Sequence, residues 1–258
     1  KEQVSKLASS KTDIKNVKID SNTDLDVVVT RDWEDHFYSK INYLDNVVSK
    51  GFVNGKLLLS KLKARNSIKT DIFENQKKGK IDRRKLFKAP FKNDIFYKIE
   101  KQDYKQTFLH ITLDLSGSMR GNKLYKAIQT AISIAYAACY LKNFDVEISV
   151  RGTFTNKGEQ PLLAYVFDSR INKINDLKKL ANITTCGMTP EGICLEYIRK
   201  ALPKPSYYQE VYLLNISDGL PNISNAKYNF SKAVNHTKSV VKSFKKNNVG
   251  VLSYFIHD

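Results

Sequence analysis

Three short stretches of the chain carry oxygen donors in an order and spacing that suit a hard cation. Asp114-Leu115-Ser116-Gly117-Ser118-Met119 follows one apolar run, Gly187-Met188-Thr189-Pro190-Glu191-Gly192 opens a helical run, and Ser217-Asp218-Gly219-Leu220-Pro221 follows a second apolar run. Together they offer two carboxylates and three hydroxyls. Mg²⁺ takes six oxygens at about 2.1 Å and keeps several waters, so a few neutral hydroxyls plus carboxylates suit it. Asp114 and Asp218 are expected to supply charge, mostly through water. Ser116 and Ser118 flank Gly117 in a tight turn that aims both hydroxyls at the ion, and Thr189 approaches from the facing loop. A site with so few direct carboxylates leaves its ion electron-poor and able to accept an incoming carboxylate. Each stretch also has an ordinary reading. Asp114-x-Ser116 makes an Asx turn at a strand end, Thr189 before Pro190 caps a helix, and Asp218-Gly219 is a common turn. All three at the right strand ends, in the right order, is much harder to obtain by coincidence.

The elements that must position these loops are legible in the periodicity. Residues 108–114 and 211–217 are apolar runs that read as buried strands. Residues 122–142 form a long helix, apolar on nearly every side through Leu124, Ala127, Ile128, Ala131, Ile132, Ile134, Ala135, Ala138 and Leu141. Such a helix must be sandwiched between a sheet and another layer. Further strands are expected at 145–152, 161–167 and 249–256, with helices at 172–181, 189–202 and 230–247. Strands alternating with helices predict an α/β fold, a doubly wound, mainly parallel sheet covered on both faces, whose strand-end loops meet in one crevice. Ahead of it, residues 1–30 read as an extended polar arm and 31–90 as a helical appendage ending at Pro90. Its helical runs are Trp33, Phe37, Ile41, Leu44 and Val48; then, after Gly51 and Gly55, Leu57–Leu59 and Leu62; then 68–76. The main domain takes 91–258, beginning with a strand at 94–100. The appendage is expected to pack through Trp33, Phe37, Ile41 and Leu44.

Composition bounds the rest. The 258 residues are 41% hydrophobic, which excludes a wholly disordered chain. No stretch approaches 18 uncharged apolar residues, so no membrane partner is expected. Lys1 is no initiator and no leader follows it, so the span reads as part of a longer product. Basic residues number 43 against 26 acids, formally +17. Divided at Thr107 the excess is +9 and +8, spread over both halves. An acidic partner such as nucleic acid would explain it, and so would a Lys-, Asn- and Ile-rich composition. Cys139, Cys186 and Cys194 form no C-x-x-C pair, and read as buried thiols in a reducing, cytoplasmic setting. Asn215 of one sequon lies inside an apolar strand, where no glycan fits.

Asp114-x-Ser116-x-Ser118, Thr189 and Ser217-Asp218-Gly219 resemble the metal-ion-dependent adhesion site of von Willebrand factor A (vWA) domains, over roughly residues 108–258. The resemblance implies that these five residues (Asp114, Ser116, Ser118, Thr189, Asp218) hold Mg²⁺ or Mn²⁺, which coordinates a Glu or Asp of a partner protein. A narrower likeness runs through Gly79–Leu86, Ile95-Phe96-Tyr97, LDLSGSMRGNKLYKA, the Gly152–Thr155 turn, GMTPEG and ISDGLPN. In that order they resemble the vWA domain of the cobaltochelatase CobT-type subunit. The narrower likeness implies a MoxR-type AAA+ ATPase as partner. Related domains occur in bacteriophage genomes, and the Lys/Asn/Ile bias fits such a source. Members of the family normally continue past the strand at 249–256 with a further helix. Here the chain stops at Asp258, so the domain is expected to be cut short or completed by something else.

An enzyme is the competing class. Around Ser118 the glycines fall one before and three after, so the nucleophile elbow fails. No H-E-x-x-H and no P-loop is present, so any ATP hydrolysis belongs to a partner. His110 lies mid-strand and reads as a core or sheet-face residue. No catalytic residue is expected. The second alternative is a basic nucleic-acid-associated or virion structural protein with a vestigial metal site. Its best candidates are Lys77-Lys78-Gly79-Lys80 and Arg83-Arg84-Lys85.

Overall fold

A computed structural model describes residues 15–18, 26–31, 45–65, 69–92, 94–102, 105–154, 160–203, 207–223, 228 and 230–256. In chain order the elements are β1 (Lys15–Lys18), β2 (Asp26–Thr30), α1 (Asp45–Arg65), β3 (Lys69–Gln76), β4 (Lys80–Ile81), β5 (Phe96–Gln102), β6 (Thr107–Asp114), α2 (Asn122–Cys139), β7 (Phe144–Phe154), β8 (Gln160–Asp168), α3 (Glu191–Ala201), β9 (Glu210–Ser217), α4 (Phe230–Lys246) and β10 (Val249–Phe255). They divide into two compact units: Lys1–Ser60 with Gln106–Asp258, and Lys61–Lys105.

The first unit is α/β, built on a seven-stranded sheet of order β1-β2-β8-β7-β6-β9-β10. Strands β7, β6, β9 and β10 lie side by side in parallel. β8 runs antiparallel to β7, while β2 joins β8 in parallel and carries β1 as an antiparallel edge. Side chains alternate across a strand. In β6, Leu109, Ile111 and Leu113 therefore join the cluster around α2, with Ile128, Ile132 and Ala135. On the opposite face Leu163 and Leu213 pack with Ile193 and Ile198 of α3 and Ala233 and Phe244 of α4. With both faces covered, the central strands need near-continuous apolar sequence, and TFLHITLD supplies it.

The sandwich predicted for α2 is present, and α1 is its second layer. Phe52 meets Tyr136 with ring centroids 5.3 Å apart, and Ser133 Oγ donates to the Gly51 carbonyl at 3.0 Å. Gly51 and Gly55 are not breaks between two helices; α1 runs straight through them. They are contact points, because a Cβ at Gly55 would lie 2.7 Å from Tyr136 Cβ. Two helices this close leave no room for a side chain there.

The second unit is a three-stranded antiparallel sheet of order β3-β5-β4, with a 3₁₀ turn at Arg83–Lys88. Several expectations are corrected here. The third helical run is not found: Lys69–Gln76 is a strand, because Thr70, Ile72 and Phe73 favour extended backbone and register with β5. The strand expected at 94–100 exists, but it pairs with β3 and β4 rather than with the main sheet. In the expected polar arm, Val27, Val28 and Val29 are buried in the seven-stranded sheet. Trp33, Phe37, Ile41 and Leu44 lie outside the described residues. The remaining elements fall within a few residues of their predicted places, with 3₁₀ geometry at Ile174–Asn182.

Among the described residues no helix is long and apolar enough to cross a membrane. All three cysteines are free: Cys194 is buried, Cys139 and Cys186 half-buried. Burial pushes the Cys139 thiol up to about 11 and that of Cys194 to about 12, far from the thiolate that reacts.

Candidate metal centre

The three donor stretches meet at the carboxyl ends of β6 and β9, and the chain ties them into a closed ring. Leu115 N–H donates to Arg151 O at 2.9 Å, Cys186 N–H to Leu115 O at 2.6 Å and Gly117 N–H to Gly187 O at 3.1 Å, which joins the first loop to β7 and to the second loop. Thr189 and Asn222 exchange both backbone hydrogen bonds, at 3.1 and 3.0 Å, joining the second loop to the third. Ser118 Oγ donates to Asp218 Oδ1 at 2.8 Å and Ser217 Oγ to Asp114 Oδ2 at 2.6 Å, closing the ring. Gly187 in the second loop must be glycine. Its φ is +64°, and a Cβ would overlap the Thr153 hydroxyl, which accepts from Met188 N–H at 2.9 Å. Gly117, by contrast, has an ordinary φ and open space beside it, so the turn at the serines does not depend on it; the positive φ falls at Gly121, before α2.

Of the five predicted ligands, four are bridged directly. Asp114 accepts Ser116 N–H at 2.9 Å, which is the Asx turn, and its second oxygen takes Ser217. Ser116 Oγ and Ser118 Oγ lie 3.0 Å apart. An octahedron with bonds of about 2.1 Å has edges of about 3.0 Å, so the two hydroxyls stand as adjacent corners would. Thr189 is buried and its backbone pairs with Asn222 beyond the third loop; among the described residues no side-chain bridge joins it to the other four. It is not the helix cap: α3 begins at Glu191 with Pro190 in the capping position. Only Ser118 and Gly117 of the first loop are exposed, so the crevice opens to solvent at Ser118. Among the described residues no group of three or more His, Cys, Asp or Glu side chains is placed to hold a metal ion. This donor set is of another kind, two carboxylates with hydroxyls.

Two basic residues that the sequence reading did not single out complete the electrostatics. Lys123, in the first turn of α2, places its ammonium 3.2 Å from Asp218 Oδ2. Beneath the loops Arg151 is wholly buried. It donates to Thr112 Oγ1 at 3.1 Å and to Glu191 Oε1 at 3.4 Å, and lies 3.8 Å from Asp114 Oδ2. Register explains the placement, since Arg151 of β7 stands opposite Asp114 of β6, and Asn215 of β9 opposite Thr112. Asn215 Nδ2 donates to the same Glu191 oxygen. Arg151 Nε and Asn215 Oδ1 have no partner among the described residues. A buried charge is tolerated only when paired, so Arg151, Asp114 and Glu191 hold one another in place. The available signal was an arginine inside the strand ISVRGTF, where a buried face demands a partner. The Gly152–Thr155 segment expected as a turn continues β7 through Phe154, and Thr155 lies outside the described residues.

In the middle of the same strands His110 bridges Glu147 Oε2 at 2.9 Å and Ser149 Oγ at 2.8 Å, all three buried. The order serine–histidine–carboxylate is that of a hydrolase relay. Burial seals Ser149 from any substrate, however, and the three side chains stitch β6 to β7. Burial pushes the Glu147 carboxyl up, but the His110 hydrogen bond and the His110 and Arg170 charges outweigh it and leave it below the usual range.

No family model matches the chain, and no curated protein does. Solved structures match in part. Manganese-loaded TRAP protein of Plasmodium vivax aligns over 60% of this chain and 58% of its own, with 18% identity and a TM-score of 0.43. The open pilus adhesin SpaC of Lactobacillus rhamnosus GG aligns over 59% of this chain and 24% of its own, at 14% identity and TM-score 0.43. Three N-terminal domains of the pili tip protein Mfa5 of Porphyromonas gingivalis align over 48% and 22%, at 16% identity and TM-score 0.37. The chain thus spans less than two thirds of each.

Proposed function

We propose that the loop ring is a metal-ion-dependent adhesion site and that the chain is a protein-interaction module with no chemistry of its own. The observation that carries this reading is the pair of hydroxyls 3.0 Å apart, with Asp218 accepting from one of them at 2.8 Å. When bound, Mg²⁺ or Mn²⁺ would supply an electrophilic coordination position for a partner's Glu or Asp. Ser116, Ser118 and Thr189 would hold the ion through neutral oxygens, and Asp114 and Asp218 would balance its charge. Lys123, 3.2 Å from Asp218 Oδ2, balances the Asp218 charge without the ion, and a bound cation would compete with it for that carboxylate. Arg151 keeps the Asp114 carboxylate turned toward the loops. The order of motifs supports a finer reading, in which the partner is a MoxR-type AAA+ ATPase as for CobT-like cobaltochelatase subunits, with ATP hydrolysis left to that partner.

Titration of the full chain with Mn²⁺, followed by electron paramagnetic resonance, tests the site. One bound ion is expected, with binding lost in Ser118→Ala and in Asp218→Ala while the circular dichroism spectrum is unchanged. Equal binding by both variants would overturn the assignment. Co-purification of a MoxR-type ATPase that EDTA abolishes and Mn²⁺ restores would support the finer reading. Capture indifferent to EDTA would sink it.

A further inference from the structure

The chain's positive charge is not spread evenly once the two units are separated. Residues 1–60 carry nine basic and nine acidic side chains, whereas Lys61–Lys105 carries 15 against six, a formal +9. More than half of the excess therefore sits in 45 residues. Lys61–Lys105 thus carries the whole +9 found ahead of Thr107, since the first 60 residues are neutral. Within the unit two acids are already engaged: Asp82 by Arg84 at 3.1 Å, and Glu74 by Lys85 at 2.8 Å. Lys77, Lys78, Lys80, Arg83 and Lys92 form no ion pair among the described residues.

The same unit exposes apolar rings. Phe91 is 86% exposed, Phe87 71%, and Phe73 45%. Ile72, Ile81, Leu86 and Ile99 are exposed as well, and Ile95 is the one buried apolar side chain among its described residues. Ile72 stands opposite Ile99 on one face of the sheet, while the next residue, Phe73, stands opposite Lys98 on the other. Apolar groups thus emerge on both faces, from the 3₁₀ turn and from the turn at Phe91, interleaved with cations.

We propose that the unit Lys61–Lys105 binds single-stranded nucleic acid. Charge complementarity selects a polyanion. Exposed rings among the cations select one whose flat bases are free to stack, as they are not inside a duplex. A bilayer meets only one face of a sheet, whereas a flexible strand follows rings that point several ways. Phosphates lie along Lys77, Lys78, Lys80 and Arg83, and bases stack on Phe87, Phe91 and Phe73.

The test is fluorescence anisotropy of the full chain with a labelled mixed-sequence strand of about 16 nucleotides, the same sequence as duplex, and anionic vesicles. Salt is varied between about 50 and 200 mM. The strand is expected to bind more tightly than the duplex. Replacing Lys77, Lys78 and Lys80 together by Gln lowers the slope of log K against log salt by about 2. Phe87→Ala and Phe91→Ala each weaken binding about 5- to 100-fold without changing the slope. Both rings are exposed, and circular dichroism checks that each variant is folded. EDTA and Asp218→Ala leave strand binding unchanged. Absence of strand binding at the lowest salt, equal duplex binding with unaffected Phe variants, capture by vesicles alone, or sensitivity to EDTA would each overturn the proposal.

Discussion

The two compact units differ in where they keep their charges. In the seven-stranded unit Arg151, Asp114, His110 and Glu147 of the sheet and Glu191 of α3 are buried and paired. Among the described side chains of Lys61–Lys105 the cations other than half-buried Lys85 lie outside, and Phe87 and Phe91 are exposed as well. A buried charge is specific because removing its partner costs several kcal/mol; an exposed one contributes little to stability and much to long-range attraction. The first arrangement builds a site of fixed geometry. The second builds a surface.

The sharpest way to break the contrast is Arg151→Ala. It leaves Asp114 and Glu191 as buried acids without their cation, and is expected to cost about 3–5 kcal/mol in urea unfolding. A loss under about 1 kcal/mol would mean that the network is not what holds the loops. Asp114→Ala shares this defect in mirror image, so Asp218→Ala is the cleaner probe of ligand binding. Gly55→Ala comes next. Helix propensity alone would stabilise α1 by up to about 1 kcal/mol, but the new Cβ meets Tyr136 at 2.7 Å. Overpacking of about 1–3 kcal/mol should win, so the melting temperature falls. A rise would mean that α1 does not lie against α2.

Acid gives a smaller, signed effect. The Glu147 carboxyl lies below its ordinary range in the folded protein. Its stabilisation is therefore full above the unfolded value, about 4.3, and is lost as pH falls through the lowered folded value. Between about pH 6 and pH 3 the wild type should lose more stability than Glu147→Gln; parallel losses would contradict the pairing. The smallest effect belongs to the other unit, where Arg83→Ala should change stability by less than about 0.5 kcal/mol.

Much of this organisation was legible in the sequence, for identifiable reasons. The runs at β6 and β9 and the nearly all-round apolar α2 leave few alternatives to a covered parallel sheet, and the oxygen donors follow those runs immediately. What was missed depended on pairing across long separations. Residues 68–76 contain helix-compatible spacing, and only the register with β5 makes them a strand. Gly51 and Gly55 resemble breaks until Ile132 and Tyr136 are seen against them. Val27–Val29 look like a stray apolar patch until β8 pairs with them. Arg151 became meaningful only when its register put it opposite Asp114.

The most direct test of the account is a crystal of the full chain grown with Mn²⁺, with anomalous differences measured at the manganese edge. One peak is expected, bonded at roughly 2.0–2.3 Å to Ser116 Oγ and Ser118 Oγ, with Lys123 moved off Asp218. A map without that peak at saturating Mn²⁺, with the two serines still hydrogen-bonded to each other, would contradict it.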